Sequence, residues 1–248
     1  MTDLHNLIEQ QRDLLCGKLS RMVENQEQVA TRRLVDNAAE HDLLESILEE
    51  SKPPYHLDTP DGMDYRLKTP FRYPPLKYGS RFGTINEAGI FYGGIHPEVV
   101  IAEVAYYRFV YWYSPQEPFP QPIQSQHTLY SARFKTDAGV DLTGEAFTQY
   151  KELLTSPSDY RFTQQLGSLM RQQDIEAFIY QSARDPQAGA CIALFTPEAL
   201  DTLKPDLLAD YMCDFDGETV SMRRNGQFES LRFALSDFQI DHQLPMPA

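Results

Sequence analysis

The 248-residue sequence predicts an α+β fold, on three observations. Short β-prone runs and amphipathic helical stretches alternate without a regular βαβ rhythm. The first fifty residues carry a helical pattern with no proline, and two tight-turn signals, Asp216-Gly217 and Asn225-Gly226, follow each other near the C-terminus. With 42% apolar residues there is enough material for a real core. No internal repeat is evident.

Taken in order, Asp3 to Lys52 forms the first element. Leu4, Leu7, Ile8, Leu15, Leu19, Met22 and Val23, then Leu34, Val35, Leu43, Leu44, Ile47 and Leu48, recur at helical spacing among Glu, Gln and Arg. The reading is a helical N-terminal extension over 1–52. It either packs on the main body or offers a surface to another subunit or a regulator, which leaves a homo-oligomer open. Pro53 and Pro54 stop it, and Thr59-Pro60-Asp61-Gly62 is turn chemistry, so a boundary falls here. The compact body then covers 65–248.

Within the body, Gly89 to Tyr92 reads as a short buried strand ended by Gly93 and Gly94. His96-Pro97 opens a helix to about Phe109, because proline at the first helical position gives up only an amide that lacks an intrahelical partner. Tyr111 to Gln126, crowded with proline and aromatics, reads as a long loop, and Thr128 to Phe134 alternates as a strand. Helices follow near Glu145 to Leu154 and Tyr160 to Gln173, then strands at Ile175 to Tyr180 and Cys191 to Phe195. The Asp-Gly and Asn-Gly turns imply two successive hairpins over 209–236.

Composition narrows the function. No apolar run is long enough to span a bilayer, and the N-terminus lacks the features of a signal peptide, so no membrane role and a cytoplasmic location are expected. Three scattered cysteines, Cys16, Cys191 and Cys213, suit neither a disulfide framework nor a paired zinc site. A formal charge of −14 argues against direct nucleic-acid binding. There is no phosphate loop, no zinc helix and no metal cluster, and His96 is explained by its place at a helix start. Gly79-Ser80-Arg81-Phe82-Gly83 is not a nucleophile elbow, since arginine rather than serine sits centrally.

Glu103 stands out. It lies four residues after Val99 and three before Tyr106, a carboxylate on an apolar helix face. Such a group must be paired or used, because desolvating a lone charge costs several kcal/mol. An ion pair with Arg72 or Arg81 and a catalytic role both remain open at this point.

Arg72 within Phe71-Arg72-Tyr73-Pro74-Pro75, Arg81 within Gly79 to Gly83, Tyr92 before the glycine pair, Glu103 within Ala102 to Tyr107, and Ser182 within Tyr180 to Asp185 occur in that order. Their order and approximate spacing resemble the RES-domain family over about 65–197. An asparagine that short family members often carry after the serine segment is missing from Ala190 to Phe195. The chain therefore looks like a longer variant with an N-terminal extension.

The resemblance implies a fold like that of the ADP-ribosyltransferase toxins and an activity that consumes NAD as substrate, with no resident cofactor. It implies Glu103, Arg81 and Ser182 as catalytic residues, and Arg72, Arg81, Tyr92 and Ser182 as the NAD-binding set. A carboxylate at the ribose stabilises an oxocarbenium-like transition state, guanidinium forks suit the pyrophosphate, and Tyr92 offers a flat face for nicotinamide. Transfer of the ADP-ribosyl group to water, with nicotinamide released, makes a glycohydrolase and transfer to phosphate a phosphorylase, the latter with a further cation such as Arg108, Arg133 or Arg184. Transfer to a macromolecule, or a non-catalytic interaction scaffold, are the alternatives. Family members are often toxins of bacterial toxin–antitoxin pairs, so a cognate antitoxin partner is expected, and the acidic surface favours a basic one.

Overall fold

The computed structural model describes residues 2–25, 35–55, 58–74, 77–117 and 119–246. It is a mixed α+β protein built on one eight-stranded sheet. The helices are α1 (Thr2–Gln10), α2 (Ala38–Glu50), α3 (Tyr65–Arg72), α4 (Pro97–Tyr113), α5 (Lys151–Leu154) and α6 (Arg161–Gln172). The strands are β1 (Arg12–Glu24), β2 (Phe91–Gly94), β3 (Ile123–Asp141), β4 (Ala177–Gln181), β5 (Ala190–Leu194), β6 (Asp206–Phe215), β7 (Thr219–Arg224) and β8 (Ser230–Ala234). No described helix is long and apolar enough to cross a membrane.

The strand order is β1-β2-β5-β4-β3-β6-β7-β8, and β1 also pairs with β3, so the first five strands close into a ring. From β3 the sheet continues outward through β6, β7 and β8, the last three being the two hairpins that the Asp-Gly and Asn-Gly turns predict.

The N-terminal extension is not helical throughout. Residues Arg12 to Glu24 are a strand, antiparallel to β3 from Arg12↔Val140 to Glu24↔His127. Leu15, Leu19 and Val23 explain the misreading. They are spaced by four, an even number, so they share a strand face as readily as a helix face. All three join one apolar cluster. Of the expected helix, 26–34 lies outside the described residues, and α2 follows, capped by the Asn37 side chain on the Glu40 amide.

Two further boundaries move. Gly93 and Gly94 lie inside β2 rather than ending it, because the strand passes too close to its neighbours for a side chain: a Cβ on Gly93 would meet Ser20 O at 2.9 Å, and one on Gly94 would meet Val100 Cγ2 at 2.7 Å. Helix α4 runs on to Tyr113, and β3 begins at Ile123, which shortens the expected loop from both ends. The extra turn is held by aromatic packing, with Trp112 against Phe215.

Three apolar clusters flank the strands. Side chains alternate along β5: Cys191 and Ala193 face the cluster under α6, whereas Ile192 and Leu194 face the cluster under α3. Helix α4 buries Val100, Ile101, Ala105, Tyr106 and Phe109 in the third. This alternation decides which predicted site residues can meet.

Candidate active site

Arg81 sits on a turn that is clamped from two sides. Gly79 takes a left-handed φ of 78°, and the Ser80 amide donates to Gly83 O at 2.7 Å. From β2, the Tyr92 hydroxyl bonds Ser80 Oγ at 2.9 Å and accepts the Phe82 amide at 3.1 Å. From α6, Gln164 Nε2 donates to Ser80 O at 3.0 Å, and Gly167 lets the helix rest on the Phe82 backbone. The half-buried Tyr92 is thus a brace for the turn. Burial pushes its phenol up to about 12, against the pull of the Ser80 hydrogen bond, so it remains a neutral hydroxyl.

Glu103 projects from the second turn of α4, whose N-terminus is fixed by Pro97. Its Oε1 accepts the Ser182 hydroxyl at 2.7 Å and the Cys191 thiol at 3.5 Å. Burial, and next the Glu103 carboxylate, keep that thiol well above its usual range. Ser182 is 2% exposed and follows β4 directly; its Oγ also accepts the amides of Arg184 and Asp185 at 3.1 and 3.0 Å. Those two donors fix the hydroxyl so that its proton points at the carboxylate. Among the described residues Glu103 has no ion pair, so the salt bridge with Arg72 or Arg81 does not form.

Two arginines complete the site. Arg81 donates to Leu154 O and lies 5.5 Å from the Tyr160 ring centroid. Arg184, 6% exposed, donates from Nη2 to the Tyr160 hydroxyl at 2.6 Å and stacks 4.0 Å from the Tyr106 ring centroid. Neither has a carboxylate partner among the described residues, and Arg81 Nε and Arg184 Nη1 are buried with no hydrogen bond. Buried donors of this kind are costly unless something bonds them. The two arginines meet at Tyr160, and the Arg184 amide donates to the same Ser182 Oγ that bonds Glu103: an anionic group fits the arginines, a developing cation the carboxylate.

Of the expected site residues, Glu103 and Ser182 are hydrogen-bonded to each other, and Tyr92 holds the turn that carries Arg81. Arg72 does not join them. It ends α3, which packs on the other side of the strands, and its guanidinium is taken by Glu49 at 2.5 Å, by Pro53 O and by the Tyr55 ring at 4.2 Å. The expected double-arginine clamp of Arg72 with Arg81 is separated by the sheet. There Arg72 lines, with Arg21, Arg66 and Tyr55, a cavity of about 800 Å³. The sequence reading missed Tyr160, whose hydroxyl accepts from Arg184 and whose ring lies beside the Arg81 guanidinium; it has no motif around it. Arg108 pairs with Glu24 at 3.0 Å and Arg133 lies near Asp201, so of the three reserve cations only Arg184 stands at the Ser182 loop.

The sequence profile described as the RES domain matches residues 53–216, more than half of the chain. The chain belongs to the RES domain family. The match is wider than the expected 65–197 and takes in α3 through β6. It contains all five residues of the motif series and excludes α1, β1 and α2. No curated protein gives a match. Among solved structures, the RES domain chain described here is similar to a chain in the crystal structure of the M. tuberculosis MbcT-MbcA toxin-antitoxin complex, with 10% identity, a TM-score of 0.47, and coverage of 84% of this chain and 90% of that one.

Proposed function

We propose that this RES domain consumes NAD by breaking the bond between nicotinamide and ribose. The observation that carries the reading is a half-buried carboxylate, Glu103, held by a serine hydroxyl and free of any ion pair among the described residues, with Arg81 and Arg184 meeting at Tyr160 and each keeping a buried, unbonded nitrogen. As the C–N bond lengthens, positive charge builds on the ribose ring, and a fixed carboxylate beside it favours the transition state over the ground state. Nicotinamide leaves neutral with the bonding pair. Arg81 binds a phosphate of the dinucleotide, and Ser182 keeps the carboxylate in one orientation.

The acceptor is water or inorganic phosphate, giving ADP-ribose or its phosphate ester. Arg184 favours a phosphate acceptor, because it offers a second cation one short loop from Ser182. NAD is a substrate in this scheme, and no resident cofactor takes part. As the family resemblance implies, the protein acts as a cytoplasmic toxin with a cognate antitoxin, and the charge of −14 selects a basic partner.

Purified protein incubated with NAD, with and without phosphate, tests this by chromatography of nicotinamide and the ribosyl product. Release of nicotinamide that Glu103→Gln lowers by at least about 10²-fold is expected, and a phosphate-dependent product names the acceptor. No release from folded protein under either condition rejects the reading.

A further inference from the structure

The segment after β8 lies outside the matched domain, yet it packs against the site. A short 3₁₀ turn, Leu235–Asp237, delivers Phe238, 6% exposed, against Tyr106 and Phe109 of α4, with ring centroids 6.0 and 5.7 Å apart. The chain then doubles back, Ile240 and Gln243 exchanging two backbone hydrogen bonds of 2.9 Å. Asp241 and His242 hold left-handed φ values of 49° and 62° in that turn, a conformation that non-glycine residues keep only when the surroundings impose it. Finally the Tyr106 hydroxyl donates to Pro245 O at 2.5 Å. Thus a turn, a buried ring and a hydrogen bond all fix the segment to α4.

Between this segment and the Ser182 loop lies a cavity of about 190 Å³, lined by Tyr106, Arg184, Asp185, Asp237, Phe238 and Ile240 among others. Its two carboxylates are engaged: Asp185 accepts the Gln187 and Gly189 amides, and Asp237 accepts the Ala234 amide. Arg184 Nη1 is buried and has no partner. A liquid water occupies roughly 30 Å³, so the space suits a few waters or one small oxyanion.

We propose that residues 235–245 form a wall over the acceptor side of the site, admitting a small hydroxyl or oxyanion beside Arg184 and excluding a protein side chain. The proposal rests on the NAD reading above and names the size class of its second substrate. In the step it governs, a lone pair of the acceptor oxygen forms the bond to the ribose carbon as the C–N pair departs with nicotinamide. A hydroxyl acceptor passes its proton to Glu103 or to water.

The test supplies NAD with primary alcohols of rising bulk, from methanol to benzyl alcohol, and compares alkyl ADP-riboside with ADP-ribose formed. The wild-type protein is expected to use methanol and to discriminate against benzyl alcohol, and Phe238→Ala or a chain ending at Ala234 to lose roughly tenfold or more of that discrimination. A parallel measurement needs no turnover: phenylglyoxal labelling of Arg184, mapped by mass spectrometry, is expected to be slow in the wild type and fast in Phe238→Ala. Equal labelling, or an alcohol profile unchanged by folded variants, overturns the wall. Absence of nicotinamide release from the wild type overturns the NAD reading, and the acceptor role with it, whatever the labelling shows.

Discussion

Glu103 accepts from a hydroxyl and a thiol and meets no cation among the described residues, which is an uncommon balance for a carboxylate on a helix packed against a sheet. A structural ion pair would have placed a guanidinium there. Glu103→Gln keeps the shape and can still meet the Ser182 hydroxyl, so it isolates the charge. We expect nicotinamide release to fall by about 10²- to 10³-fold with little change in thermal midpoint. A rate within about threefold of wild type would sink the catalytic assignment. The two motif arginines separate in the same assay. Arg81→Ala is expected to raise KM for NAD by about tenfold, one charge-assisted hydrogen bond being worth about 1.5–3 kcal/mol. Arg72→Ala is expected to leave KM alone and to lower stability instead, since it removes the donor to Pro53 O and one of the two donors to Glu49. Equal effects of both on KM would mean that Arg72 reaches the substrate after all.

Helix α6 shows how an element far from the chemistry sets it. A Cβ on Gly167 would stand 1.9 Å from Phe82 O, and the obstacle is backbone, which has nowhere to go. Gly167→Ala must therefore push the helix off the turn that carries Arg81. The expected result is a loss of about 1–3 kcal/mol in urea unfolding together with a raised KM for NAD. Unchanged stability and KM would show that the turn is held without α6. The same element-level physics explains what the sequence revealed and what it hid. Helix α6, strands β4 and β5 and the two hairpins were readable because a local period or a turn dipeptide carries each. Strand β1 was not, because spacing by four satisfies both periods and only pairing with β3 chooses between them. Motif order brought out Arg81, Tyr92, Glu103 and Ser182, each within a distinctive local string. It said nothing of which side of the sheet each would face, so Arg72 was grouped with them, and Tyr160 had no local signal at all.

At the scale of the molecule, β3 is the strand on which everything hangs: it pairs with β1, β4 and β6, closing the ring and launching the hairpin sheet. His127 lies where β1 and β6 flank it, opposite Glu24 and Tyr211, and is 2% exposed. Its Nε2 meets Ser125 Oγ at 2.9 Å. Burial, with Arg108 adding repulsion and Glu24 opposing it, pulls the imidazole from 6.5 down to about 4. The folded chain thus binds this proton more weakly than the unfolded chain. The associated stability is whole above pH about 6.5 and is lost as the pH falls through about 4, an interval worth about 3 kcal/mol. Because β3 is shared by the ring and the hairpin sheet, charging His127 is expected to loosen both together rather than fray one edge. Urea unfolding of wild type and His127→Gln at pH 7, 5.5 and 4.5 checks this, followed by tryptophan fluorescence, which reports α4, and by far-ultraviolet circular dichroism. The wild type is expected to lose more stability than the variant across that range, with the two probes coincident. Parallel losses would assign the acid sensitivity to the carboxylates instead, and separated transitions would mean that the hairpin sheet melts on its own.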